Sequence, residues 1–271
     1  MGESEKTRDE RYLKILMKPI TVCAKYRPMF GQGRKGGMAL EEFREMYQAD
    51  PFYAWMGLDS PLMYAAHKAA GGMTSVYRQI GMGGQRVFQQ VLQDNLTLDA
   101  KQVLWSYTVP TREKAKTKTL SLDGRIDLSH VADKTVKKRV TAWIEAAKDY
   151  VELPETAPEL EGAVFEVRQG YKSKDSKRQH GDLDNIASAY LYNYLPVVLL
   201  LSTQIDGDVA ERYTQRRCLL LKGTESGRSV ESTYVFCREV VGYDLAGFFK
   251  RNSKEIRSQL NVILKALLTA E

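Results

Sequence analysis

The chain has 271 residues, and its 43% hydrophobic content is enough to bury a core in one large domain or two small ones. Lysine and arginine total 40 against 34 acidic residues, so the net charge of +6 mildly favours polyanionic partners. The three cysteines match neither a disulfide framework nor a paired zinc motif, and the charged amino terminus and short apolar runs argue against an export signal or a membrane span. We expect one domain over residues 1–271, in a cytoplasmic protein that does not contact a membrane.

Helical patterns dominate residues 1–100. Amphipathic spacing predicts three helices, over residues 4–26, 39–50 and 61–93. The third is expected to be interrupted by glycines at residues 71–72 and 81–84. Between the first two, residues 30–38 form a glycine-rich basic loop that either contacts a phosphate backbone or stays solvated. Its glycines do not match the spacing of a phosphate-binding loop, which favours the solvated interpretation.

Strands begin near residue 103, where apolar and polar residues start to alternate. The core expected over residues 103–203 contains strands at 103–109, 117–128 and 163–170, helices at 133–151 and 179–192, and a buried strand at 195–202. A strand at 218–221 and helices at 229–250 and 253–269 follow. The predicted fold class is therefore α/β, with a mixed central sheet flanked by helices, a helical amino-terminal region and a helical carboxy-terminal tail over residues 204–271.

Carboxylates are grouped on two of the predicted strands. In LSLDGRIDL, strand alternation places Asp123, Arg125 and Asp127 on one face. In VFEVR, the same alternation places Glu166 and Arg168 together. If the two strands are neighbours, their carboxylates can converge on one hard cation. Asp123 precedes a glycine, so it is also expected as a turn or bulge residue.

These residues resemble the PD-(D/E)xK nuclease superfamily and, within it, the type II restriction endonucleases. The resemblance covers roughly residues 103–203 and implies a restriction-endonuclease-like core with Asp127 as the first acid and Glu166 as the second. It implies Mg²⁺ held by these two acids, with Asp123 joining through water or serving a second metal, and no organic cofactor. The implied activity is hydrolysis of phosphodiester bonds at a specific sequence in double-stranded DNA. A homodimer follows, because two-fold symmetry lets each subunit cut one strand of a palindrome.

The third position departs from the family pattern, which has lysine two residues after the second acid where this chain has Arg168. On a strand, Arg168 lies only about 6.6 Å from Glu166 along the chain. Lys172 reaches the site only if the chain bends, and Gly170 permits such a bend. Both residues stay as candidates for the catalytic positive group, and the need to activate water favours Lys172, because arginine is a poor general base.

Basic and amide residues follow the second acid and suit phosphate contacts and base recognition: Lys174, Lys177, Arg178, Gln179 and His180. A solvated loop has the same composition, but the position beside Glu166 favours DNA. Arg78, in the glycine-bounded segment GGMTSVYRQIG, is a further candidate for reading a DNA groove. Two other functions stay open. One is a catalytically silent nucleic-acid-binding protein with a nuclease-like core, for which Arg168 is the main argument, and the other is a structure-specific repair or recombination nuclease.

Overall fold

The computed structural model describes residues 3–30, 36–110, 117–170 and 176–270. The chain divides into two compact units, the first formed by Met1–Gly83 with Lys250–Glu271 and the second by Gly84–Phe249. The single domain expected over residues 1–271 stays a prediction. None of the helices formed by the described residues combines the length and the apolar character that a bilayer crossing requires.

Helices precede the first strand, as predicted. They are α1 (Glu5–Thr21) with a 3-10 turn (Val22–Lys25), α2 (Leu40–Gln48), α3 (Pro51–Trp55) and α4 (Pro61–Leu96). The predicted interruptions of α4 at its glycines are wrong, because the helix runs unbroken over 36 residues. Gly72 shows why: a Cβ there would lie 2.5 Å from Leu267, so the missing side chain lets another segment of the first unit pack closely. Such packing offsets the cost of about 1 kcal/mol that glycine adds to a helix interior.

The second unit contains the strands. In chain order its elements after α4 are β1 (Trp105–Pro110), β2 (Thr117–Leu122), β3 (Gly124–Asp127), α5 (Lys134–Tyr150), β4 (Gly162–Arg168), α6 (Ser176–Leu191), β5 (Tyr194–Leu200), α7 (Gly207–Gln215), β6 (Leu219–Leu221), α8 (Thr233–Phe236) and α9 (Leu245–Leu268). The last of these begins in the second unit and continues into the first.

The strands form two sheets. β1 and β2 make an antiparallel pair, and the larger sheet has the order β3-β4-β5-β6. In that sheet β3 is antiparallel to β4, whereas β4, β5 and β6 are mutually parallel. Parallel neighbours need crossover connections, which α6 and α7 provide. The predicted α/β class with a mixed sheet and flanking helices is confirmed.

Helices cover both faces of the larger sheet. On one face, Phe165 of β4 contacts Phe88, Trp143 and Phe236, with ring centroids 5.2, 6.4 and 5.6 Å away. On the other face, α6 and α7 bury apolar side chains against β4 and β5: Val164, Ile186, Ala189, Val198, Val209 and Tyr213. Alternation along β4 therefore directs Phe165 to the aromatic face and Glu166 to the face covered by α6.

The carboxy-terminal tail differs from the predicted helices at 229–250 and 253–269. The short α8 leads into a π-helical turn, Cys237–Val241, and α9 then runs as one helix from Leu245. The turn ends at Gly242, whose φ of 95° is left-handed, and the guanidinium of Arg139 on α5 donates to the carbonyls of Val240 and Val241 at 2.7 and 3.3 Å. This contact joins residues far apart in sequence, and helical periodicity does not reveal it.

Candidate active site at one end of the sheet

The pairing of β3 with β4 sets how far each aspartate lies from Glu166. Gly124 pairs with Phe165, and the pairing runs to Asp127 opposite Gly162. Asp123 lies in the bend one residue before this ladder, next to the pair Gly124–Phe165. The backbone of Asp123 therefore lies near that of Glu166, whereas Asp127 lies at the other end of the pairing.

Asp123 occupies the bend between β2 and β3, where the chain passes from one sheet to the other. Its backbone N–H donates to the carbonyl of Phe165 at 2.8 Å, and its Oδ2 accepts from the N–H of Val167 at 2.9 Å. Gln89 of α4 donates to the Asp123 carbonyl at 2.6 Å. These bonds attach Asp123 to both backbone neighbours of Glu166. The bend expected at Asp123 is present. It is compatible with a role of Asp123 in the site, because a carboxylate accepts several hydrogen bonds.

Glu166 and Arg168 form an ion pair on the face covered by α6. The guanidinium Nη2 lies 2.5 Å from Oε1 of Glu166, and 12% of the glutamate side chain and 17% of the arginine side chain are exposed. Low exposure makes this pair stronger than an ordinary surface ion pair. Of the two candidates for the positive position, Arg168 contacts the acid. Lys172 lies outside the described residues.

Helix α6 adds a polar group that the sequence analysis missed. Asn185 and Glu166 line the same narrow gap between α6 and the sheet. The hydroxyl of Tyr107 on β1 donates to Oδ1 of Asn185 at 2.6 Å. Burial raises the pKa of Tyr107, so the phenol keeps its proton and remains a donor. No motif marks this pair, because their contact depends on how β1 and α6 pack in three dimensions.

Asp127 lies at the opposite end of β3, in a different environment. Because it pairs with Gly162, it stands four residues from Glu166 along β4, about 13 Å on a regular strand. Its Oδ1 accepts from the backbone N–H and the hydroxyl of Ser129 at 2.9 and 2.6 Å, and its Oδ2 accepts from the Tyr194 hydroxyl at 2.8 Å. The prediction that Asp127 and Glu166 form one acid pair does not match this geometry.

The backbones approach closely at this end of the sheet. A Cβ at Gly162 would lie 2.0 Å from the carbonyl oxygen of Ile126, so only glycine allows the pairing opposite Asp127. Asp127 is 9% exposed. Nδ1 of His130 lies 3.8 Å from Oδ2 of Asp127. These contacts hold the Asp127 carboxylate in a fixed position within the fold.

The hydrogen bonds of Asp127 also set its protonation. Burial pushes the pKa of the Asp127 carboxyl upward, but the hydrogen bonds from Ser129 and Tyr194 outweigh burial and leave the pKa below its ordinary value. Burial and the bond to Asp127 raise the pKa of Tyr194 to about 12. The pair is thus a carboxylate and a neutral phenol over the whole physiological range.

The predicted DNA-binding residues are described only in part. Lys174 lies outside the described residues. The other four lie in the first two turns of α6, close to the carboxyl end of β4: Lys177, Arg178, Gln179 and His180. Their side chains are not among the described parts of the structure. Arg78 is exposed on α4 within the first unit.

The donor set can be compared with the needs of Mg²⁺. Among the described residues, no group of three or more His, Cys, Asp or Glu side chains is placed to hold a metal ion. Mg²⁺ is often held by one or two carboxylates together with water and substrate phosphate. Asp123 and Glu166 supply two carboxylates of the type that such a set uses, and the Glu166 carboxylate is paired with Arg168. Asp127, held by Ser129 and Tyr194 at the other end of β3, does not belong to the same set.

Comparisons of this chain with protein-family models, with curated proteins and with solved structures give no match.

Proposed function

We propose that the chain is a Mg²⁺-dependent endonuclease of the restriction type, which hydrolyses phosphodiester bonds in double-stranded DNA. The observation that carries this proposal is that Asp123 hydrogen-bonds to the backbone of both neighbours of Glu166, while the Arg168 guanidinium lies 2.5 Å from the Glu166 carboxylate. Two acids and a cation on neighbouring strand ends match the residue types that the resemblance implies. The first acid, however, is Asp123 instead of Asp127.

Each residue has a role that follows from its position. Asp123 and Glu166 would hold the metal ion, which when bound supplies charge neutralisation at the phosphate and a more acidic water. Arg168 would orient Glu166 and stabilise negative charge that develops on the phosphate. Asn185, beside Glu166 and bonded to Tyr107, would fix α6 against the site.

The start of α6 supports DNA as the substrate. This helix begins at Ser176, a few residues after β4 ends, and its first two turns contain Lys177, Arg178 and His180. The amino end of a helix carries a partial positive charge that favours phosphate. We extend the proposal to a homodimer, because cutting both strands of a palindrome requires two sites.

Incubating the purified chain with plasmid DNA, with Mg²⁺ or with a chelator, tests this function. Discrete fragments that need Mg²⁺ support restriction, and a smear indicates a nuclease guided by structure or without sequence preference. A gel shift without cleavage contradicts the proposal and supports a second candidate, a nucleic-acid-binding protein without catalysis. The observation that favours this candidate is the ion pair of Arg168 with Glu166, which occupies a carboxylate that metal binding would use.

Substitution at Arg168 separates the two candidates for the positive group. If Arg168 acts there, Arg168→Lys keeps cleavage within about tenfold, because the charge is retained and the family's lysine is restored, and Lys172→Ala affects DNA binding. If Lys172 acts, Lys172→Ala removes cleavage while Lys172→Arg still binds DNA. Rates measured under single-turnover conditions distinguish the two outcomes.

A further inference from the structure

A cavity of about 400 Å³ lies in the second unit, at the end of the larger sheet where its parallel strands begin. Three segments form its wall: the loop before β4, the last turn of α6 before β5, and the turn between α7 and β6. Glu166 lies toward the other end of β4. The cavity is therefore separate from the residues proposed for DNA cleavage, and an inference about it does not depend on nuclease activity.

Much of the cavity wall is apolar. The loop before β4 contributes these side chains: Leu153, Pro154, Ala157, Pro158 and Leu160. The ring of Tyr190 continues this surface and packs against the buried cluster between α6, α7 and the sheet. Among the described residues, no second aromatic ring contacts Tyr190. Because aromatic rings pack well on one another, the wall suits a ligand with an aromatic body.

Two arginines, Arg216 and Arg217, supply the charged part of the wall. Both residues are exposed, and within the described parts of the chain neither guanidinium has a hydrogen bond or an ion pair. Gln215 is the other polar residue of this turn, and its amide donates to Glu211 at 3.1 Å. A guanidinium carries five N–H donors and no acceptor, so both arginines can donate to an oxyanion in the cavity.

Arg217 occupies a backbone position that normally favours glycine. Its φ is 55°, and its N–H donates to the carbonyl of Thr214 at 2.8 Å in the turn that ends α7. Helices often end with a left-handed glycine, because any side chain at that residue is strained. The Tyr190 hydroxyl donates to the Arg217 carbonyl at 2.5 Å and fixes this residue at the wall. The fold thus keeps a guanidinium at the cavity although glycine would be less strained there.

Negative charge near the cavity does not occupy the two guanidiniums. The carboxyl end of α7 supplies only about half a negative charge. The glutamates of the loop before β4 are exposed, and none forms an ion pair in the part of the chain that the structure describes: Glu152, Glu155, Glu159 and Glu161. Solvent screens such exposed carboxylates. Arg216 and Arg217 are therefore available to an anion that binds them through direct hydrogen bonds.

We propose that this cavity binds a small aromatic carboxylate, with its ring against Tyr190 and the apolar loop and its carboxylate on Arg216 and Arg217. The volume of about 400 Å³ falls within the range of roughly 300–1,000 Å³ that is usual for small-molecule sites. A carboxylate accepts two parallel bonds from one guanidinium. A small inorganic anion leaves the apolar wall uncovered, and an uncharged ring leaves the guanidiniums unpaired, so the wall selects a ligand that has both parts.

Isothermal titration of the full chain with naphthoate, acetate and the uncharged naphthalenemethanol tests the proposal. We expect naphthoate to bind. Acetate lacks the aromatic body and naphthalenemethanol lacks the charge, so each should bind at least about tenfold more weakly.

Two variants test the guanidiniums separately. Arg217→Gly should stay folded, because glycine suits a φ of 55°, yet it should bind naphthoate about tenfold more weakly, the usual effect of losing one charged hydrogen bond. Arg216→Gln should weaken binding by a similar factor. Arg257→Gln, at an exposed residue of α9 in the first unit, is the matched control and should leave the affinity unchanged.

Thermal unfolding checks that each variant is folded, and Arg216→Gln carries the test if Arg217→Gly does not fold. The proposal is overturned if naphthoate shows no binding up to about 1 mM. It is also overturned if acetate or naphthalenemethanol binds as tightly as naphthoate, or if neither folded arginine variant binds naphthoate more weakly than the unchanged chain.

Discussion

The two ends of the β3–β4 strand pair hold carboxylates in opposite ways. At one end, the buried Asp127 accepts hydrogen bonds from Ser129 and Tyr194, which are uncharged. At the other end, Asp123 caps a backbone N–H beside Glu166, whose own partner is the charged Arg168. Two aspartates in one short segment of sequence therefore have different hydrogen-bond partners, because they lie at opposite ends of β3.

The largest effect on the cleavage rate should come from substitution of Glu166, at the end with a charged partner. Glu166→Gln keeps the side-chain shape but removes the charge that a metal ion needs, so cleavage should fall at least about a hundredfold. Single-turnover cleavage of plasmid DNA measures this loss, and thermal unfolding checks that the variant is folded. Glu159→Gln, at an exposed position before β4, is the control and should cleave normally. Normal cleavage by Glu166→Gln would remove Glu166 from the site.

Substitution of Asp127, at the end with uncharged partners, should lower the free energy of unfolding. Asp127→Ala leaves the buried Tyr194 hydroxyl and the Ser129 donors without their acceptor, which should cost about 2–3 kcal/mol of unfolding free energy. Urea unfolding measures this cost. We expect the folded fraction of the variant to cleave DNA at a rate within a few-fold of the unchanged chain. A stability loss below about 0.5 kcal/mol would contradict the structural role of Asp127.

Asp127 should also make the unfolding free energy depend on pH in the acid range. Because the pKa of Asp127 is lower in the folded chain than in the unfolded chain, its contribution to stability is present above the ordinary carboxyl range and is lost as the pH falls through the lowered folded value. The unfolding free energy of the unchanged chain should therefore decline more steeply below about pH 4 than that of Asp127→Ala. Equal slopes would indicate that the pKa of Asp127 is the same in both states.

Tyr194→Phe should have a smaller effect, because it removes one hydroxyl and leaves Ser129 bonded to Asp127. We expect a loss of about 1 kcal/mol. The folded pKa of Tyr194, raised from 10.0 to about 12, means that its contribution is complete below pH 10 and is lost as the pH rises toward 12. Tyr194→Phe should lack this alkaline loss, which unfolding curves at several pH values measure. Tyr192→Phe, at a residue that is 49% exposed, is the matched control.

Much of the fold follows from local patterns in the sequence. Alternation predicted β4, helical spacing predicted α5 and α6, and the dense apolar run predicted the buried β5, because each of these signals lies within one element. The continuous α4 and the π-helical turn after α8 were not predictable in this way. They depend on Leu267 packing at Gly72 and on Arg139 reaching the carbonyl of Val240, which are contacts between distant segments.

The site was predictable by residue type but not by pairing. Glu166 and Arg168 are two residues apart on one strand, so alternation places them on the same face and the structure agrees. The aspartate partner depends on register, and 34 residues of chain, including α5, separate the end of β3 from the start of β4. A turn fixes register only in a tight hairpin. The bend expected at Asp123 is the sequence signal that sets this aspartate apart from Asp127.

Side-by-side measurement of Asp123→Asn and Asp127→Asn tests the assignment of the two ends most directly. Both variants exchange a carboxylate for an amide of the same shape, and both are assayed for Mg²⁺-dependent cleavage of plasmid DNA at equal concentrations of folded protein. We predict that Asp123→Asn loses at least about a hundredfold in rate, whereas Asp127→Asn cleaves normally but unfolds at a lower temperature. Loss of cleavage in Asp127→Asn together with normal cleavage in Asp123→Asn would contradict it and return the first acid to Asp127.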